Sequence, residues 1–212
     1  IPDEIDVVSV TPYSAKVRLA PFSKGMGSTI GFSLRRILLS FMPGAAITEV
    51  RIDKVMHEFS SIDGCFEDVM IILMNLKQVV FSLTGIDSVN LSLHLNKPGA
   101  VTAADLSLPV GVSVINPEQH IVTVQKPIDT TISFTVKLGV GTHSAIKTEE
   151  IGIIHLDTNF SPVKKITYTV EDTRVNNQTN LDSLVLDIET NGAVDPLLAI
   201  RRSATILQYQ LS

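Results

Sequence analysis

Residues 25–44, GMGSTIGFSLRRILLSFMPG, decide how this chain folds. A glycine-rich turn opens a helix, and the helix stops at Pro43 because proline cannot continue the hydrogen-bond ladder. At about 100° per residue, the helix has an apolar stripe and two apolar residues roughly opposite to it. The stripe consists of Ile30, Leu34, Ile37, Leu38 and Phe41, and the two opposite residues are Phe32 and Leu39.

A helix that is apolar on two sides needs cover on both sides. Its own sheet can cover one side, and a second chain is the more natural cover for the other, although a core helix enclosed by its own domain is the alternative. Arg36 lies between the two apolar faces beside Ser33 and Ser40, whereas Arg35 points about 100° away from it. We therefore expect the two arginines to have different roles.

The last helix repeats this pattern. Asp195-Pro196 reads as an N-cap followed by proline in the first helical turn. Two apolar stripes follow, one of Leu197, Ile200, Ala204, Leu207 and Leu211, and the other of Leu198, Ile206 and Tyr209. This helix, too, is expected to need cover on two sides.

Between these helices the pattern is mainly that of β-strands. Apolar and polar residues alternate over 15–20, 89–95, 132–138 and 184–188, the period of strands with one buried face. One helix interrupts them from Phe66 to about Gln78, with an apolar period of Phe66, Val69, Met70, Leu73 and Leu76. The stretch from Lys97 to Pro117 reads as loops and short strands. The predicted fold class is α+β, with two long helices on a sheet and a mainly antiparallel β insertion.

Composition excludes several functional classes. Net charge is −5 and no run of lysine and arginine forms a strong basic face, so direct nucleic-acid binding is not expected. No apolar run reaches the roughly 18 residues that span a bilayer. The single cysteine, Cys65, reads as a small packing residue and fits a reducing compartment. With no basic region or signal peptide at the start of the chain, we expect a cytoplasmic location.

Catalytic, metal-binding and cofactor-binding patterns are not apparent. Gly25, Gly27 and Gly31 follow a strand and open a helix, but their spacing is GxGxxxG, one residue longer than a dinucleotide-binding turn requires. His57-Glu58 begins like a zinc-binding HExxH helix, but Ser61 stands where the second histidine belongs. We expect no catalytic residue, no metal and no cofactor, and nucleotide binding remains only as an alternative.

The helix motif also carries a family resemblance. GxGxTxGxxLRRILLSxMPG resembles the assembly motif of the amino-terminal domain of the bacterial RNA polymerase α subunit. Similar segments follow in the family's order over nearly the whole chain. They are AAITEVRID (45–53), HEFSSIDGCFEDV (57–69), NLK (75–77), KPGAVTAADL (97–106), SPV (161–163), and TNGAVDP with AIRRSATIL (190–207).

The resemblance implies a scaffold rather than an enzyme in its own right. In that family the first and last helices form a dimer, on which the large β and β′ subunits assemble into the nucleotidyltransferase. It implies a dimerisation part from residues 1–43 and 172–212, with 44–171 as an inserted β-rich part. Nothing similar to the family's carboxy-terminal DNA-binding domain follows Ser212, so we expect no DNA binding by this chain.

The resemblance also implies site residues, of which Arg36 comes first because an arginine fork suits bidentate bonds to a partner. A solvated arginine or a solvated helix face is the plain alternative at each position. Contacts to β are expected at Arg36, Leu38, Leu39, Ser40, Glu67, Asp68, Asn75 and Lys77. Dimer contacts are expected at Phe32, Arg35, Leu39, Leu198, Arg202, Ile206 and Tyr209. Contacts to β′ are expected at Arg174, Gln178 and Asn180.

Some residues depart from the family pattern. Phe32-Ser33 stands where the family usually has Asn-Ala, and Leu197-Leu198 stands where two glutamates are common. The partner surface is therefore expected to be unusually apolar, and the dimer is expected to be a homodimer or, as a hypothesis, a heterodimer with a divergent α copy. A free-standing dimeric interaction module and a nucleotide-dependent enzyme are the alternative functions.

Overall fold

A computed structural model describes residues 4–145, 150–175 and 178–211 of the 212-residue chain. In chain order its elements are β1 (Glu4–Val10), β2 (Ser14–Ser23), α1 (Met26–Ser40), β3 (Pro43–Ile52), α2 (Val69–Lys77), β4 (Phe81–Leu83), β5 (Ser88–Leu95), β6 (Gly99–Thr102), β7 (Val112–Val114), β8 (His120–Val124), β9 (Thr130–Val140), β10 (Thr142–His143), β11 (Ile154–His155), β12 (Thr158–Asn159), β13 (Val163–Val175), β14 (Gln178–Thr190) and α3 (Pro196–Leu211). Three helices among mostly antiparallel strands confirm the predicted α+β class.

The chain forms two compact units. The first combines Ile1–Pro43 with Ser161–Ser212, and the second is Gly44–Phe160. The chain therefore returns to the first unit at Ser161, earlier than the expected position near Asp172, which lies inside β13. The physical reason is that β13 pairs with β14 from Val163 onwards, and a strand paired along its length stays with its sheet.

The first unit is a four-stranded sheet in the order β1-β2-β14-β13, with antiparallel pairing throughout. α1 packs mainly on β13 and β14, and α3 packs on α1, β14 and β2. The buried core lies between helices and sheet, and it includes Leu34 and Leu38 of α1 with Leu184, Leu186 and Ile188 of β14. The predicted strand alternation in β2 and β14 thus supplies the helix-facing side of the sheet.

The glycine of the α1 motif at position 31 is required by close packing. A Cβ atom on Gly31 would lie 2.6 Å from Cδ2 of Tyr168 and 2.9 Å from Cδ1 of Leu184. These distances are too short for non-bonded carbon atoms, which attract best at about 3.5–4.0 Å. The helix can approach the sheet this closely only because position 31 has no side chain.

The second unit is built on a six-stranded sheet in the order β5-β9-β3-β4-β7, with β11 also paired to β3. Along the antiparallel pair β5 and β9, buried residues such as Leu91 and Leu93 lie opposite Phe134 and Ile132, as the alternation predicts. α2 packs on β8 and buries Val69, Ile72, Leu73 and Leu76 in the same core. Residues 97–117 contain two short strands and one turn of 3₁₀ helix, close to the prediction.

Candidate protein-interaction surfaces

The glycine-rich turn before α1 is held by a carboxylate from a distant strand. Gly25 has φ 88°, a left-handed conformation that glycine adopts without strain. Its backbone N–H donates to Oδ2 of Asp182 at 2.8 Å, and the N–H of Gly27 donates to the same oxygen at 3.3 Å. Lys24 also places its Nζ 3.4 Å from Oδ1 of Asp182. The amides that could hold a phosphate are therefore occupied, which disfavours the nucleotide-binding alternative.

Asp182 is almost fully buried, with 2% of its surface exposed. Burial by itself raises the pKa of a carboxyl. The hydrogen bonds from Gly25 and Gly27, together with the Lys24 ammonium, outweigh burial and hold the pKa of Asp182 below its ordinary value. Asp182 is thus an ionised anchor for the first turn of α1. No local sequence pattern indicated this role, because Asp182 lies in β14, far from the turn in sequence.

The two arginines of α1 differ, as their angular separation predicts. Nε of Arg35 donates to the carbonyl of Ile166 at 3.4 Å, which ties the helix to β13. The Arg36 side chain is exposed and makes no hydrogen bond or ion pair with any residue that the structure describes. Its guanidinium is therefore free to bind a partner.

The other predicted contacts on α1 are divided between core and surface. Leu38 is fully buried in the core of the first unit, so the expectation that it touches another subunit is corrected. Leu39 is half-buried and packs against the same core, whereas Ser40 is exposed. Phe32 is 55% exposed and Phe41, just beyond the helix end, is 50% exposed, so Phe41 does not complete the buried stripe.

α3 begins as predicted. The N–H of Leu198 donates to Oδ1 of Asp195 at 2.9 Å, so Asp195 caps the helix. The side that faces the core is formed by Pro196, Ala199, Ile200 and Ser203. The predicted first stripe is therefore only partly right.

The exposed side of α3 contains three of the four dimer residues that are expected on this helix. Leu198 is 40% exposed, Tyr209 is 79% exposed, and Arg202 is exposed between them. Ile206 is half-buried and packs against the core. From the predicted first stripe, Ala204 and Leu211 also lie at the surface because the sheet covers only the first half of the helix.

In the second unit, Glu67 is an internal anchor. Its Oε2 accepts the backbone N–H of Thr123 at 2.6 Å, and its Oε1 accepts the Thr123 hydroxyl at 3.0 Å and lies 2.7 Å from Nε2 of His120. Only 10% of the Glu67 side chain is exposed. The expectation of a subunit contact through this carboxylate is corrected, because both oxygens fix the segment before α2 to β8.

Two groups in this region, Glu67 and Cys65, have shifted pKa values. Burial opposes the charge of Glu67, but the bonds from Thr123 and His120 outweigh burial and hold its pKa below the ordinary value. Burial, and to a smaller extent the Glu67 charge, raise the pKa of the Cys65 thiol. A thiol that resists ionisation is a poor nucleophile, which agrees with the interpretation of Cys65 as a packing residue.

The remaining predicted residues of α2 also differ in their roles. Nδ2 of Asn75 donates to the carbonyl of Ile121 at 2.9 Å, so this amide holds α2 against β8. Asp68 and Lys77 are exposed at the two ends of the helix. Charged contacts to a partner can therefore come from Asp68 and Lys77, while Asn75 is used within the unit.

An apolar surface beside α2 was not predicted. Phe66 precedes the helix and is 72% exposed, and Met70 is 42% exposed, so neither belongs to the buried stripe that the sequence indicated. Met74, one turn after Met70, is 58% exposed, and Phe59 is 75% exposed. The N–H of Val69 donates to the carbonyl of Ser60 at 3.1 Å, which brings the Phe59 segment to the helix start. We call Phe59, Phe66, Met70 and Met74 the α2 apolar surface. The sequence pattern that could have indicated it is the i, i+4 spacing of the two methionines.

Arg174, Gln178 and Asn180 lie on the paired strands β13 and β14, close to the connection between them, and all three are exposed. The structure therefore brings the three expected β′ contacts together on one hairpin. Residues 176 and 177 of the same expected stretch lie outside the described residues.

Among the described residues, no group of three or more His, Cys, Asp or Glu side chains is arranged to hold a metal ion. Within the same ranges, no helix is both long enough and apolar enough to cross a membrane.

Comparison with known families addresses the second unit. The sequence profile described as the RNA polymerase Rpb3/RpoA insert domain matches residues 50–161, more than half of the 212 residues. The matched range nearly coincides with the second unit, Gly44–Phe160, whose limits come from the structure alone. The chain therefore belongs to the RNA polymerase Rpb3/RpoA insert domain family, as an α-subunit-like amino-terminal domain of a polymerase subunit.

Proposed function

We propose that this chain is a non-catalytic assembly subunit of DNA-directed RNA polymerase, located in the cytoplasm. It dimerises with a second α subunit through α1 and α3, and the dimer nucleates binding of the β and β′ subunits. Family membership supports a role among RNA polymerase subunits. Our proposal adds that the chain dimerises, that the dimer binds the two large subunits, and that the chain has no catalytic role.

The dimer is supported by the exposed apolar side chains of α1 and α3. Phe32 on α1 and Leu198 and Tyr209 on α3 are between 40% and 79% exposed, although they lie on helices that also bury a core. Large exposed apolar side chains on neighbouring helices are typical of a protein interface. α1 and α3 pack on each other, so the same unit presents both sets.

Binding to β is supported most directly by Arg36. Both arginines of the family-like motif are exposed, but Arg35 donates to the carbonyl of Ile166, whereas within the described chain nothing competes for the guanidinium of Arg36. A fork of N–H donors gives charge-assisted, bidentate bonds to a carboxylate or to backbone carbonyls. In the second unit, we propose that the α2 apolar surface, flanked by Asp68 and Lys77, is the contact with a large subunit, in place of Glu67 and Asn75.

The proposal is tested by size-exclusion chromatography with light scattering, with the chain mixed with a bacterial β subunit. Wild type is expected to elute as a dimer that captures β, and Arg36→Ala is expected to remain a dimer and lose β. Arg51→Ala is the matched control, because Arg51 is an exposed arginine of β3, outside α1 and α3. A wild-type dimer that ignores β would favour a free-standing interaction module, and a monomer would overturn the dimer.

The identity of the dimer partner requires a separate measurement. The chain is co-expressed with a divergent α copy, and the intact dimers are weighed by native mass spectrometry. Leu197-Leu198 near the start of α3 motivates the heterodimer, because Leu198 adds exposed apolar surface where the family commonly has acids. An exclusive homodimer would remove the heterodimer hypothesis and leave the assembly role intact.

A further inference from the structure

Two methionines of the α2 apolar surface lie on a helix that does not use them for its core. α2 is fixed to the second unit by its buried side chains, none of which is more than 5% exposed. Met70 and Met74 point away from that core, one helical turn apart, and both are exposed. Methionine is normally a buried residue, and Met42 in the first unit is fully buried. The exposed pair is therefore accessible to solutes without any opening of the fold.

The exposed side of α2 is poor in groups that could bind a new polar atom. Between Asp68 and Lys77 the sequence is VMIILMNL, without a charged residue. Its one side-chain amide, Asn75, is bound on the side of β8, where Nδ2 donates to the carbonyl of Ile121 at 2.9 Å. An oxygen atom added to either methionine is therefore hydrated while the surface is free, and it loses that water when an apolar partner covers the surface.

Hydroperoxides add such an oxygen atom to exposed methionine. The thioether sulfur attacks the terminal oxygen of the peroxide, the O–O bond breaks as the S–O bond forms, and the hydroxyl proton moves to the departing oxygen, which leaves as water or an alcohol. The sulfur is oxidised by two electrons and the peroxide is reduced by two. The product, methionine sulfoxide, is polar where the thioether was apolar, and it disrupts surfaces that are rich in methionine.

The cysteine of the second unit is less suited to react with a peroxide. Cys65 is half-buried, and burial raises the pKa of its thiol, which leaves less of the reactive thiolate. The methionines of this unit are Met56, Met70 and Met74, and all three are exposed. Two of these three accessible sulfur atoms therefore belong to the α2 apolar surface.

We propose that Met70 and Met74 form an oxidation site, at which a hydroperoxide converts the thioethers of the unassembled chain to sulfoxides and thereby blocks its binding to a large polymerase subunit. The inference rests on the proposed function, in which the α2 apolar surface is the contact with that subunit, and it adds how this contact is regulated. In the assembled enzyme the partner covers the pair, so the reaction acts on chains that have not yet assembled.

Oxidation at this site changes the surface and leaves the fold intact. Met70 and Met74 lie outside the buried core of the second unit, so the sulfoxides stay in water as long as the chain is free. When a partner binds, the sulfoxide oxygen atoms must leave water, which is costly without a new hydrogen bond. Because specific reductases convert methionine sulfoxide back to methionine, the block is reversible.

The first test measures affinity before and after oxidation. The purified chain is treated with hydrogen peroxide, the peroxide is removed, and peptide mass spectrometry measures the oxygen added at each methionine. The dissociation constant for an untreated bacterial β subunit is then measured by biolayer interferometry. Conversion of Met70 and Met74 to sulfoxides is expected to raise it at least about tenfold, and treatment with methionine sulfoxide reductases is expected to restore it.

The second test locates the effect with leucine variants. The double variant Met70→Leu and Met74→Leu keeps the surface apolar and the helix stable, and it has no sulfur to oxidise at either position. Its dissociation constant is expected to change by less than about twofold after peroxide treatment. Met26→Leu is the matched control, because Met26 is 44% exposed, close to the 42% of Met70, but lies on α1 in the first unit. This variant is expected to lose affinity on oxidation as wild type does.

The outcomes separate the inference from the proposal beneath it. An untreated wild-type chain that does not bind β overturns the proposed contact and, with it, the oxidation site. A wild-type chain that binds β equally well with both methionines oxidised overturns the oxidation site alone, as does peroxide that oxidises Met26 and leaves Met70 and Met74 unmodified. Equal loss of affinity in the oxidised double leucine variant also overturns it, because the sensitive residue then lies elsewhere. Circular dichroism of the oxidised chain is expected to match that of the untreated chain, and a loss of helical signal would attribute the effect to unfolding and overturn the site as well.

Discussion

Replacement of Glu67 by alanine in the second unit tests whether this residue is an internal anchor. The substitution removes a carboxylate with 10% exposure and leaves the Thr123 N–H, which it binds at 2.6 Å, without that acceptor. A hydrogen bond to a charged group contributes about 1.5–3 kcal/mol, and an unsatisfied buried donor costs about 1–3 kcal/mol. Because these contributions overlap at one site, we expect a total loss of about 3 kcal/mol rather than their sum.

The assay is urea unfolding at fixed protein concentration, combined with hydrogen exchange at the Thr123 amide. A loss of about 3 kcal/mol moves the urea midpoint down by roughly 1–2 M. Asp68→Ala is the matched control, because Asp68 is the adjacent acid, is exposed, and makes no side-chain capping bond. It is expected to change stability by less than about 0.5 kcal/mol.

The pH dependence has a defined sign. The pKa of Glu67 in the folded chain lies below its ordinary value of 4.5, so its contribution to stability is fully present above that value. It is lost as the pH falls through the folded pKa, and the difference between wild type and Glu67→Ala should shrink there. Equal destabilisation by Glu67→Ala and Asp68→Ala, or unchanged exchange at Thr123, would refute the anchor.

Three further outcomes follow from the described contacts. Gly31→Val should destabilise the first unit by about 3 kcal/mol in thermal or urea unfolding, because its side chain enters space filled by Tyr168; an unchanged midpoint would contradict the close packing. Asp182→Asn should reduce stability at pH 7 and flatten its acid dependence, since the lowered pKa of Asp182 gives stability that is present above its unfolded value and lost on acidification; the same acid profile as wild type would contradict an ionised anchor. Met74→Ser should leave stability within about 0.5 kcal/mol and weaken capture of a large subunit, because Met74 is 58% exposed on the α2 apolar surface; undiminished capture would remove Met74 from that contact.

The local elements of the fold could be predicted because their signals are local. The alternation in β5 and β9, the proline after α1 and the Asp195 cap of α3 each depend on residues within one or two turns. The same is true of the angular separation between Arg35 and Arg36. Period and capping therefore located most strands and all three helices, with α2 beginning later than expected at Val69.

The roles of individual site residues could not be predicted in the same way. Leu38 and Leu39 are adjacent apolar residues of one motif, yet one is fully buried and the other is half-buried. Glu67 and Asp68 are adjacent acids, yet only Glu67 reaches Thr123. In each pair, the role of the residue depends on whether its side chain faces a strand that lies far away in the sequence.

The sequence by itself determined the class of fold, the positions of the helices and the family-like motifs, because hydrophobic period, caps and turn residues act between near neighbours. Only the tertiary structure decided that Asp182 holds the α1 turn and that β13 belongs to the first unit. Asp182 and Gly25 are more than a hundred residues apart, and β13 joins the first unit through β14, which pairs with the equally distant β2. A one-dimensional pattern shows that a face is apolar, and the packed chain shows which surface covers it.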